Sequence, residues 1–269
     1  MVTKVALRGS GLPDRLADER IDDRILLVVA HPDDEIIGAG ALLRRAGRQC
    51  WVLHLTDGAP LDPHRPDRRD PVRLAYADLR RQELHRALDL AGVPQDRRRC
   101  ADAVDQDAWT CLPRLVHAVL AMLEEAEPDI VLTHPYEGGH PDHDAAAFAV
   151  HTALALRPGP ALLEMAYYHG LDGRFVAQQF LPGPPAFDLP VRAADKARLL
   201  ACHASQREAL APFSPAVERL RVAPRYDFLG SPHPGRLWYE RQGWGDAARF
   251  RSAVRAALDA LGPRSWSWR

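Results

Sequence analysis

Ile25-Leu26-Leu27-Val28-Val29-Ala30-His31-Pro32-Asp33-Asp34-Glu35 is the stretch that decides the fold. Its first six residues are apolar, mostly branched, and show no polar alternation. A strand with one wet face would alternate, so this one is buried on both faces, as strands of parallel sheets are. The polar turn from His31 to Glu35, a helix expected over Ile36–Ala46 and a second apolar run over Cys50–Leu55 complete a βαβ unit.

The alternation continues along the chain. A helix is expected over Leu74–Ala91, a third strand near Arg99–Val104, a helix over Ala108–Glu125 and a fourth short strand over Ile130–Leu132. His143–Leu156 reads as helix, Leu162–Tyr168 as a fifth strand and Ala193–Leu210 as helix. The pattern predicts an α/β fold: a Rossmann-like open, mostly parallel sheet in the order 3-2-1-4-5 with helices on both faces. Thr56–Arg73 is rich in Pro, Arg and Asp and longer than an ordinary connection, so it is expected to cover a site. Beyond Leu210, prolines 212, 215, 224, 232 and 234 predict an irregular C-terminal extension. One domain is expected over 1–269, with a motif-bearing core at about 23–210 and the extension at about 211–269.

With 46% apolar and 26% charged residues in 269, the chain can bury a full core. Its 35 basic and 36 acidic side chains nearly cancel, which removes the electrostatic footprint of nucleic-acid binding. Cys50, Cys100, Cys111 and Cys202 form no CxxC pair and are expected to be reduced and mostly buried. No apolar stretch suits a transmembrane or secretory segment, so a cytoplasmic protein of unknown oligomeric state is expected.

Chemistry concentrates at two strand ends. His31, Asp33, Asp34 and Glu35 follow the first strand; Thr133-His134-Pro135-Tyr136-Glu137-Gly138-Gly139-His140-Pro141-Asp142-His143-Asp144 follows the fourth. In the expected strand order these strands are neighbours, and a crevice opens beyond their carboxyl ends. The spacing from His31 to His140, and from Asp34 to His143, is 109 residues. His31, Asp34 and His143 could supply two imidazoles and one carboxylate to a catalytic zinc that keeps a position for water. Asp33, adjacent to Asp34, cannot easily share that metal face and is free to act as a general base, while His140 could face the far side of a substrate carbonyl. The bland alternative is that Asp33, Asp34 and Glu35 cap the following helix; capping does not ask for histidines at both strand ends. His54, His64, His85, His117, His151 and His169 read as structural or surface residues, and Gly38-Ala39-Gly40 lacks the third glycine of a dinucleotide fingerprint.

AHPDDE after a buried strand, with HPDH after a later one, resembles the PIG-L/LmbE-like family of zinc-dependent N-acetylglucosaminyl deacetylases. Further similarity lies in Thr56-Asp57-Gly58, Arg80, Glu83, Lys196, His203, Ser205 and Gln206, so it extends over most of residues 25–210. The resemblance implies zinc ligation by His31, Asp34 and His143, with other divalent ions able to substitute, a general base at Asp33, and an oxyanion-stabilising or acidic role for His140. It also implies an aspartate after the third strand that contacts sugar hydroxyls: Asp105, with Asp102 and Asp107 as competitors. Arg80, Tyr136 and His233 are further substrate candidates. The family's tyrosine two residues before the first histidine of the second motif is Gly138 here, and Tyr136 could replace it only if the loop differs.

The reaction so implied removes an acyl group, acetyl foremost, from the nitrogen of a small amino sugar or glycoconjugate. Asp33 takes a proton from the attacking water, protonated His140 shares the oxyanion with zinc, and Asp142 orients a neighbouring imidazole from behind. Two rival readings remain: a non-haem iron oxygenase, because two histidines and a carboxylate also make its facial triad, and a non-catalytic binding domain that retains a metal.

Overall fold

The computed structural model describes residues 11–64 and 66–262. Its main sheet has seven strands: β1 (Ile25–Val29), β2 (Cys50–Pro60), β3 (Arg98–Asp105), β4 (Ile130–Thr133), β5 (Ala161–Met165), β8 (Ala186–Asp188) and β9 (Arg219–Val222). They lie in the order β3-β2-β1-β4-β5-β9-β8. The first five are parallel in the expected order, and β9 and β8 add an antiparallel edge.

β1 sits at the centre, with Leu26 opposite both Trp51 and Val131, and none of its five residues is exposed. Its side chains still alternate. Ile25, Leu27 and Val29 join a core with α1 (Leu12–Ala17), α2 (Asp34–Ala46), α3 (Pro71–Ala91) and α6 (Ala193–Leu200). Leu26 and Val28 face α4 (Leu112–Ala126), α5 (Pro141–Leu156) and α9 (Ala247–Ala260). Helices on both faces turn a period-2 strand into a continuous apolar run.

Several elements differ from the sequence reading. The fifth strand stops at Met165, and Tyr168 begins a separate hairpin of β6 (Tyr168–Leu171) and β7 (Arg174–Ala177). The helix expected to Leu210 breaks after Leu200 and resumes as α7 (Arg207–Leu210). The extension is partly regular: α8 (Trp238–Gln242) is short, whereas α9 is capped by Asp246, which accepts from the amides of Ala248 and Arg249. Phe250, Val254, Ala257 and Leu258 bury α9's apolar stripe in the second core. Only Cys50 among the four cysteines is buried, and all four are free thiols. No helix among the described residues is long and apolar enough to cross a membrane.

Gly38-Ala39-Gly40 owes its glycines to packing. A Cβ at Gly38 would stand 2.6 Å from the Met165 sulfur and 2.8 Å from the Tyr167 hydroxyl, so α2 could not lie this close to β5. Gly38→Ala is expected to destabilise the fold by roughly 1–3 kcal/mol, as overpacking does, measured as a lower denaturant midpoint at unchanged slope.

Candidate metal centre

Backbone and side-chain bonds gather the carboxyl ends of three strands. Thr133 Oγ1 donates to the Val28 carbonyl at 3.0 Å, Thr56 Oγ1 to the Ala30 carbonyl at 2.9 Å, and the Ala30 amide to His134 Nε2 at 2.9 Å. Immediately beyond lie His31 and, through the turn into α2, Asp33 and Asp34. From the neighbouring β4 the chain passes through Gly138 and Gly139 into α5, whose first turn carries His140, Asp142 and His143. Both motifs line one cavity of about 400 Å³ together with Asp105, the last residue of β3. A larger hollow of about 750 Å³ opens at the opposite end of the strands, between Arg24, Leu123, Arg157 and Pro160, away from this chemistry.

Asp34 is the hub. One carboxylate oxygen lies 3.2 Å from His31 Nδ1 and 3.4 Å from His134 Nε2, and the other lies 3.4 Å from His143 Nε2. Burial favours the neutral acid, but His143 and His134 more than offset it and hold Asp34 well below the usual carboxylate range. His31, Asp34 and His143 place one ligand atom each within a common 4.8 Å, as do His31, Asp105, His140 and Asp142.

The donor chemistry favours the first set. Asp142 is fully buried and already accepts from the amides of Gln106 at 2.6 Å and Ala108 at 3.1 Å, which ties the loop after β3 to α5. Its Oδ2 also stands 3.2 Å from His31 Nε2. With Nδ1 turned to Asp34 and Nε2 backed by a carboxylate, His31 has the geometry of a metal-binding imidazole oriented from behind. Asp105 presents a carboxylate oxygen 3.1 Å from the same Nε2. Burial lowers the affinity of His31 for a proton, but Asp105, Asp142 and Asp34 reverse this and hold it well above the ordinary histidine range.

His140 differs from the protonated imidazole expected above. As the N-cap of α5 it accepts the Asp142 amide on Nδ1 at 3.2 Å, so its proton sits on Nε2 and the ring is neutral. Burial, reinforced by His31, holds it well below the ordinary range. A neutral ring in this tautomer still offers an N–H donor to the cavity.

Asp33 occupies the N-cap position of α2, but its side chain makes no capping bond. It points instead to Arg80, whose Nη2 lies 3.1 Å away. Its backbone holds φ 138, a region L residues rarely adopt and one that costs about 1–3 kcal/mol. Burial pushes Asp33 up to about 8 against the pull of Arg80, with Asp34 adding to the rise. Glu35 turns the other way, accepting the Asp33 amide at 3.1 Å and pairing with His54 at 2.9 Å, so both are buried supports.

The substrate candidates separate. Asp105 is in the cavity. Arg80 reaches its wall, but its guanidinium is taken up by the carbonyls of Gly58 and Pro32 and by Asp33. Tyr136 is not in the cavity: it is buried beside Phe228 and Phe250, with its hydroxyl on the Gly230 carbonyl at 2.8 Å. His233 is also absent from the lining, its Nδ1 lying 2.8 Å from the Pro234 carbonyl. Nor do the described residues of Thr56–Arg73 line the cavity. The cover comes from residues the sequence reading did not single out: Tyr168, Phe175, Phe213, Trp238, Gln242 and Trp244. His134, stacked 4.0 Å from His143, was likewise passed over, although it lies in the quoted motif. Among the residues that extend the resemblance, Lys196 is buried on the carbonyls of Ile37 and Val217 and Glu83 holds Ser205. Only Gln206 and Arg80 of that group reach the cavity.

Residues 26–154 match the family described as PIG-L, GlcNAc-PI de-N-acetylase. The matched segment carries both motifs, from His31 to His143. A curated relative, 1D-myo-inositol 2-acetamido-2-deoxy-alpha-D-glucopyranoside deacetylase of Streptomyces avermitilis, is 31% identical over 163 residues, 52% of this chain and 55% of that protein. The chain thus spans about half the length of the curated relatives it matches. Two solved structures share the fold. A deacetylase of teicoplanin biosynthesis matches with a TM-score of 0.55 at 20% identity, over 73% of this chain and 96% of that one. The N,N'-diacetylchitobiose deacetylase of Pyrococcus horikoshii matches with a TM-score of 0.55 at 18% identity, over 82% of this chain and 93% of that one.

A carboxyl that binds its proton more tightly folded than unfolded makes the fold lose stability as pH rises from its ordinary value near ~4 through the raised one. For Asp33 that window ends at about 8. In metal-stripped protein, Asp33→Asn is expected to remove up to roughly 1.4 kcal/mol of decline per pH unit, read from urea unfolding at pH 5, 6 and 7. Identical slopes in parent and variant would contradict the assignment.

Proposed function

We propose that this chain is a metal-dependent amidase that removes an acetyl group from the nitrogen of an amino sugar or sugar conjugate, with zinc bound by His31, Asp34 and His143. The observation that carries the reading is the divergence of two adjacent carboxylates. Asp34 turns to the histidines while Asp33, unshared with them, turns to Arg80 in the same cavity. The family match and the deacetylases among the relatives support the same reaction class.

When bound, the ion supplies the Lewis acidity that brings a water near neutrality and polarises the amide carbonyl. Asp33, in the ionised form that Arg80 favours, takes the proton of the attacking water and returns it to the leaving amine. His140 directs Nε2–H at the carbonyl oxygen, and Asp142 fixes His31 from behind. Acetate and a free amine result. Asp105, 3.1 Å from His31 and 3.8 Å from His140, would meet a sugar hydroxyl. An oxygenase reading gives no work to Asp33, and oxygen consumption that survives Asp33→Asn would favour it.

Chelation is expected to abolish amine release from N-acetylated amino sugars, and zinc or another divalent ion to restore it; activity in metal-free protein would overturn the proposal. By elemental analysis, His31→Ala, Asp34→Ala and His143→Ala should fall below stoichiometric metal while Asp33→Asn and His140→Ala retain it. Metal lost in His31→Ala and His140→Ala but kept in Asp34→Ala and His143→Ala would select the other ligand set, with Asp105 and Asp142.

Asp33→Asn should lose most turnover. His140→Ala should lose about 100-fold in kcat with KM changed only a few fold, the mark of an interaction made in the transition state. Because a neutral ring donates, the basic limb of the rate profile should persist in His140→Ala. Its disappearance would restore the imidazolium assignment.

A further inference from the structure

Gly138 stands where a tyrosine could serve the oxyanion, and the backbone and packing there disfavour a side chain. Its φ is 68, and a Cβ would lie 2.8 Å from Leu237. The next residue, Gly139, is bare for a second reason: a Cβ would overlap the Tyr168 carbonyl oxygen and approach the Tyr168 ring to 3.2 Å. The loop that disfavours a tyrosine is therefore the loop that lets Tyr168, the first residue of β6, come close.

Tyr168 is the only tyrosine among the described residues lining the cavity. Its ring stands edge-on to His143, with centroids 5.3 Å apart, and is held from behind by Phe175 at 5.2 Å and Phe213 at 6.0 Å. Other nearby phenols are committed elsewhere. Tyr167 donates to the Asp34 carbonyl at 3.0 Å and Tyr136 to Gly230.

We propose that Tyr168, supplied from β6 rather than from the HPDH loop, donates its phenolic O–H to the substrate carbonyl oxygen as that oxygen gains negative charge, opposite His140. The proposal rests on the amidase reading above. A phenol keeps its proton well above neutral pH, so Tyr168 is a donor across the working range. No bond is made or broken at the phenol; it contributes a hydrogen bond that strengthens as charge develops.

The test compares the parent, Tyr168→Phe and Tyr136→Phe as zinc-loaded proteins. Phenylalanine keeps the ring packing, so the fold and metal stoichiometry should be unchanged. With N-acetylglucosamine and its p-nitrophenyl glycoside as substrates, Tyr168→Phe should lose about 100-fold in kcat with KM within about threefold, as for one oxyanion donor. Tyr136→Phe should match the parent. Calorimetric binding of methylphosphonate, a tetrahedral anion that needs no turnover, should weaken about tenfold in Tyr168→Phe alone. Unchanged kcat and unchanged methylphosphonate affinity in an active parent overturn the role of Tyr168 and leave the amidase reading intact. A parent inactive on every acylated amine overturns the amidase reading, and the methylphosphonate arm then decides alone whether Tyr168 is an anion donor. Loss of metal in Tyr168→Phe would make it a support of His143 and overturn the proposal.

Discussion

The parallel pairing of β1 with β4 is the constraint on which the rest depends. Strands on the β1 side run out to β3 and those beyond β4 to β5, so no connection crosses the end of this pair and a crevice opens there. The register of Leu27 opposite Leu132 brings the chain out of both strands at nearly the same height. The Ala30 amide can then reach His134, and Asp34 can reach His143. A slip of one residue would turn the apolar side chains of β1 to the wrong faces and separate the two motifs.

Holding so many titratable groups out of water demands partners for nearly all of them. Asp34 is 3% exposed and ionised because imidazoles surround it. Asp142 is satisfied by two backbone amides, Glu35 by His54 and the Asp33 amide, and Arg80 by two carbonyls and Asp33. These supports offset part of the cost of burying charge. Asp33 is the exception in kind, with a strained backbone, burial that favours its protonated form and Arg80 as its side-chain partner. Such a combination belongs at a reacting centre rather than in a core.

What the sequence made legible follows from what needed only local chemistry. β1, the first half of β2 and β4 announce themselves because burial on both faces makes them mostly apolar. β3 was blurred because it is an edge strand, where Arg98 and Arg99 are half-buried and cost little. The stripe of α9 was present in Phe250, Val254, Ala257 and Leu258, but the prolines from 212 to 234 drew the whole tail into one irregular reading. The divergence of Asp33 from Asp34 followed from adjacency alone. The tautomer of His140 did not, since it depends on a cap bond to Asp142. Neither did the cavity's tyrosine, because choosing Tyr168 over Tyr136 requires knowing which backbones touch at Gly139.

Floor and wall of the cavity have different origins in the chain. The floor ends with His143, whereas Trp238, Gln242 and Trp244 reach the cavity from the extension, where the Trp238 amide bonds the Gly138 carbonyl at 3.0 Å. Drift in the segment after Val222 can therefore reshape the entrance while the groups that would carry out hydrolysis stay under separate selection. A lineage built this way can change its diet without relearning its chemistry.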